Sequence, residues 1–249
     1  MSALGTTSFT PPSTASAAAS DASPPTAAHL VPTALIDSDH PDVVAFAREH
    51  ARGASVRERA VALAFAVRDG LLYDPYRIDL TLQGMRASQA LANGYGWCVP
   101  KATLLAAVCR AAGIPTRLGF ADVRNHLSTE RMRQTMKTDL FIWHGYTDIH
   151  IDGAWRKATP AFNLSLCQKF GLHPLDFDGV HDSIYHPFDK AGNRHMEYVH
   201  QRGSFDDVPL DQIAADFRVV YQGMWLPGEP GALRGASFAK DVDRETAPR

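Results

Sequence analysis

The sequence has little cysteine, no long apolar run and almost no net charge, and each shortage closes off a class of protein. Three cysteines in 249 residues, odd in number and widely spaced, cannot form a disulfide framework. They point to a reducing compartment, read here as the cytoplasm. No stretch approaches the roughly 20 apolar residues that span a bilayer, so no membrane partner is expected. A net charge of −2 gives no basic footprint, so no nucleic-acid partner is expected. What is present is 45% hydrophobic and 21% charged, an ordinary globular composition. The length allows one large domain or two small ones, and no internal repeat is visible.

Residues 1–33 are built from Ser, Thr, Ala and Pro with few large apolar side chains. They lack the basic and hydrophobic regions of a signal peptide. The expectation is a disordered tail over 1–33, a domain over 34–227 and a loose C-terminal tail over 228–249. Within the domain, Pro41 opens a helix, and Ser55 with Glu58 reads as a capping box for a second. Thr116 to Val123 reads as a buried strand. Residues Asn193 to Arg202 and Leu210 to Tyr221 read as helices.

The chemistry centres on the stretch Gly94-Tyr-Gly-Trp-Cys98-Val-Pro-Lys101 and the Ala/Leu-rich run after it, which Gly113 and Pro115 terminate. Pro100 is tolerated in a first helical turn, so Cys98 falls at a helix N-terminus. Unpaired N–H groups and the helix dipole there favour a thiolate, and Lys101 is near enough in sequence to add charge. That is the setting of an activated nucleophile. Gly94 and Gly96 clear the approach, making Tyr95, Gly96 and Trp97 the expected substrate-binding residues. Cys109 and Cys167 read as inert core thiols.

A second informative region runs from Leu140 to Thr159. Asp152-Gly153 is a strong two-residue hairpin signal. With that loop, 151 pairs with 154, and His144 shares a face with Thr159. Asn163 would be the other diagonal neighbour if the strand continued past Pro160. His144 is one candidate base and His126 is its competitor. Thr159 and Asn163 are the two candidates to orient the imidazole, with Asp148 a third if the register differs.

Taken together, Tyr-Gly-x-Cys at a helix start, then Ala-Gly-Ile-Pro-Thr-Arg, then His144, Asp148, Asp152-Gly153 and Trp155, resemble the motifs of the transglutaminase-like superfamily over about residues 70–165. Ala158 to Asn163 resembles the ending of a bacterial branch, and the superfamily's final Asp falls on Thr159. The resemblance implies an α+β, papain-like core with the nucleophile helix packed on an antiparallel sheet. It implies acyl transfer on a peptide or other amide substrate through Cys98 and His144, by hydrolysis or transamidation, with no cofactor and no metal. The Cys98 N–H would serve the oxyanion, with Trp97, Gln89 or Tyr95 as second donor. Two other readings stand beside it. One is a binding module of the same fold without chemistry. The other is a metal-dependent hydrolase using the His/Asp-rich segment 173–189, whose spacings match no zinc signature.

Overall fold

A computed structural model describes residues 23–125, 128–185, 188–192, 195–221, 233 and 235–247. Two helices lead, α1 (Pro41–His50) and α2 (Val56–Gly70). Ser55 caps α2, with Glu58 returning the bond as a capping box. After β1 (Leu72–Tyr73) come α3 (Ala87–Asn93), β2 (Tyr95–Gly96) and α4 (Cys98–Ala111). The chain continues through β3 (Thr116–Asn125), α5 (Glu130–Met136), β4 (Leu140–Ile151), β5 (Ala154–Ala158) and α6 (Leu164–Phe170). It ends with β6 (Met196–Phe205), α7 (Leu210–Val220) and α8 (Phe238–Thr246).

The core is α4, buried at every position from Cys98 to Arg110. A helix buried on every face needs cover on every side. Helices α1, α2 and α3 supply part of it and the sheet supplies the rest. The sheet is antiparallel, ordered β5-β4-β3-β6. The Thr147 hydroxyl donates to Ala102 O at 2.9 Å and stitches β4 to α4. The β4–β5 hairpin has the register expected from its turn, Ile151 with Ala154 through Thr147 with Ala158. Asp152 and Gly153 both take positive φ, as a two-residue turn of this hand requires.

Three expectations are corrected. Residues 196–205 are not helical. Their Glu, Gln and Arg suit a helix, but pairing along β3 overrides that weak preference. Residues 23–33 are not a free tail. Ser23 O accepts the Trp155 indole N–H, and Val31 O accepts from the Arg110 guanidinium, so buried donors fix this polar segment. Residues Phe238–Thr246, inside the stretch expected to be loose, form α8. Its Phe238, Asp241 and Val242 are buried, Phe238 against the rings of Tyr73 and Tyr76. Residues 1–22 and His126 lie outside the described residues.

Candidate active site

Trp97 is the N-cap of α4 and Cys98 its first residue. The sulfur lies where the N–H groups of Cys98 and Val99 converge with the N–H of Gly145 from β4. Those donors favour the thiolate, yet burial is the larger effect and pushes the Cys98 thiol up to about 11. Lys101 does not help. It points away into the protein and donates to Arg68 O and Leu71 O at the end of α2, at 2.9 and 2.7 Å. Burial there lowers it to about 7. The helix start thus positions the sulfur without ionising it, which corrects the expectation of a ready thiolate.

Gly145 is what lets the helix and strand meet. A Cβ there would come within 3.2 Å of the Cα and Cγ2 of Val99. A glycine inside a strand is a readable signal for such close approach, though sequence reasoning did not use it.

His144 reaches the same place through an irregular strand. Between Ala121 and Val123 the β3–β4 register slips, and Trp143 adopts a left-handed φ of 59°. Bulges of this kind re-aim side chains. Asp122 accepts the Trp143 N–H at 3.0 Å, while Asp216 on α7 accepts the indole N–H at 2.8 Å. Arg202 on β6 bonds both carboxylates and lies 4.4 Å over the indole ring. One residue upstream, Ile142 N–H donates to the Tyr221 hydroxyl, which donates onward to Leu140 O. Asp122, Arg202 and Asp216 come from β3, β6 and α7, Tyr221 is the C-cap of α7, and no local pattern announces them.

Cys98 and His144 therefore line one cavity of about 480 Å³. His144 is only 6% exposed, and burial, then the neighbouring His195, lowers its pKa to about 4. Near neutral pH both groups are uncharged, a neutral thiol and a neutral imidazole lining the same cavity.

The expected orienters behave differently from the extrapolated register. The β4–β5 ladder stops at Thr147–Ala158, and the chain around Ser183 takes the next bonds instead, with Thr159 N–H donating to Ser183 O at 2.9 Å. Thr159 and His144 share a second cavity of about 360 Å³ with His195. Thr159 Oγ1 and His144 Nε2 are both buried without a hydrogen-bond partner among the described residues. Asn163 is elsewhere. Its carbonyl accepts the Tyr73 N–H at 3.0 Å and its amide donates to Ser165 at 2.7 Å, tying β1 to α6. Asp148 accepts from Arg117 and Ser204, both at 3.0 Å, and does not serve His144.

Tyr95 and Gly96 line a separate polar groove that reaches the site at Trp97, which walls both spaces. Gln89 lies in that groove, bonded to Gln83 and Asn93 rather than aimed at the sulfur. In the 173–189 segment Asp176 pairs with Arg68, Asp178 with His181, and Asp182 accepts the Lys157 N–H. Among the described residues no three such groups converge to hold a metal. His186 lies outside them.

A cysteine at the start of a buried helix, set against an antiparallel sheet that carries a histidine, defines a papain-like cysteine fold. Residues 44–160 match the model of the Transglutaminase-like superfamily, and over that stretch the chain is a transglutaminase-like domain. Among solved structures it is similar to a protein named a putative cysteine protease from Cytophaga hutchinsonii, with 19% identity and TM-score 0.42 over 53% of this chain and 40% of that one. It is also similar to one named a putative protease from Parabacteroides distasonis, with 18% identity and TM-score 0.34 over 50% of this chain and 25% of that one. The chain thus aligns with less than half the length of each. No curated protein matches. No helix among the described residues is long and apolar enough to cross a membrane.

Proposed function

We propose that the protein is a cysteine-dependent acyl transferase or hydrolase acting on a peptide amide, with Cys98 as nucleophile and His144 as base. The observation that carries this reading is the meeting of two distant residues, the Cys98 sulfur lying against the His144–Gly145 peptide in one cavity. Because both groups are neutral at rest, the thiol proton passes to His144 as the sulfur–carbon bond forms. The carbonyl oxygen gains charge facing the Cys98 N–H. As the carbon–nitrogen bond breaks, the imidazolium returns its proton to the leaving amine. Water or an amine then adds to the thioester, releasing the acyl group and restoring the thiol. Of the two candidate orienters, Thr159 shares a cavity with His144 without hydrogen-bonding its Nε2, while Asn163 bonds Tyr73 and Ser165. Three free cysteines fit a reducing cytoplasm.

The test is amide hydrolysis by the full chain on a mixed peptide library. Cys98→Ala should abolish it, and His144→Ala should lower kcat by about 10²–10⁴, the usual range for a general base. Turnover that survives Cys98→Ala ends the proposal, and turnover that a chelator stops favours a metal site. No turnover of any peptide favours the binding module.

A further inference from the structure

The space that Cys98 and His144 share is lined by no charged side chain among the described residues. Its walls are aromatic and aliphatic, with Met132, Met136 and Met196 beside Phe141, Phe162 and Phe217. Methionine is unbranched and polarisable and adapts its shape to an aromatic or branched guest. The groove on the other side of Trp97 has the opposite character, holding Arg77, Asp79 and the hydrogen-bonded amides of Gln83, Gln89 and Asn93. The two spaces share only Ile78 and Trp97. Polarity is therefore segregated across the residue that precedes the nucleophile.

Building on the acyl-transfer reading, we infer that the apolar cavity is the acyl-side subsite and selects an apolar side chain, of the phenylalanine or methionine class, over a charged one on the residue whose carbonyl is attacked. A carboxylate or ammonium entering it loses its water and meets no counter-charge. A glutamine carboxamide meets few polar groups in return. The same argument disfavours a lysine ammonium as the attacking amine inside this cavity.

The experiment uses tripeptide acyloxymethyl ketones that differ only in the residue beside the ketone, either Phe, Met, Gln, Asp or Lys. In each, the Cys98 sulfur displaces the acyloxy group as a carboxylate and leaves a thioether, read by mass spectrometry of the intact full-length chain. Phe and Met probes should label Cys98 about 100-fold faster than Asp and Lys probes, with Gln close to the charged pair. Met136→Lys should invert the order of Phe and Asp, while Met136→Leu should keep it. The melting temperature of both variants checks that they fold, and the wild-type panel decides the question without them. Equal rates across the wild-type panel overturn the subsite and leave the chemistry standing. Failure of every peptide probe to label Cys98, while iodoacetamide labels it, overturns the acyl-transfer reading and this assignment with it.

Discussion

The two halves of the site are held in unlike ways. Cys98 is placed by one element, a helix whose start and end are both set within residues 94–115. His144 is placed by a slipped strand, a left-handed tryptophan and a cluster drawn from β3, β6 and α7. A residue set by its own helix tolerates change elsewhere, whereas a residue set by a network depends on each distant member. The comparison separates two things that a single loss of activity would merge, stability of the fold and alignment of the base.

The largest effects are expected from a pair of substitutions of similar cost. Leu105→Ala in α4 opens a cavity in a fully buried site and should cost about 3 kcal/mol. Arg202→Ala leaves Asp122 buried beside Trp143 without its counter-ion and should cost about 3 kcal/mol as well. Urea denaturation checks both values. Only Arg202→Ala should shift the pH profile of Cys98 alkylation, and an unchanged profile would show that the cluster supports the fold without aligning His144.

Next in size is a pH effect. His144 protonates near its ordinary 6.5 in the unfolded chain but only near 4 when folded. Between those values the unfolded chain binds more protons, so stability falls as pH drops through that window, by on the order of 3 kcal/mol. Denaturation midpoints at pH 7, 5.5 and 4 in the wild type and His144→Gln test this. The variant should lose that share of the decline, and an identical decline in both would mean that other groups carry it.

Gly145→Ala is expected to cost about 1–3 kcal/mol, because the new methyl wedges against Val99. It should also slow alkylation of Cys98 relative to a denatured control. A neutral effect on both would show that α4 can retreat from β4 freely.

The smallest effects concern the orienters. Asn163→Ala removes the acceptor for the Tyr73 N–H and should cost about 1 kcal/mol with no change in the Cys98 pH profile. Thr159→Val exchanges an unpartnered buried hydroxyl for a methyl, so stability should hold or rise by about 1 kcal/mol while the pH profile moves. If Asn163→Ala alone moves the profile, the preference for Thr159 is reversed.

What was legible in the sequence follows the same division. The start of α4 at Cys98, its end at Gly113, the Ser55 cap and the Asp152-Gly153 turn with its register were readable because each is written in a few adjacent residues. The conformation of Trp143 was not, since Asp122 and Arg202 are 80 residues apart and only the fold introduces them. The ionisation of Cys98 was misread for a related reason. A helix start is a local feature, but the burial that outweighs it comes from the sheet. Asn163 was misplaced because a two-residue turn dictates only the pairs it zips, and the neighbour of β5 past Ala158 is the chain at Ser183.

The pairing of β3 with β6 also bears on the order in which the protein assembles. The β4–β5 hairpin closes over two residues and can form early and locally. Joining β6 to β3 closes a far longer loop, and its entropy is lost before any contact rewards it. Arg202 belongs to β6, so this topology predicts that the histidine side of the site is completed after the β4–β5 hairpin. The stretch from 44 to 160 ends before β6 and α7. A fragment cut to those bounds would carry Cys98, His144 and Asp122 but not Arg202, Asp216 or Tyr221. During synthesis, competence would come only when the chain beyond residue 200 has left the ribosome.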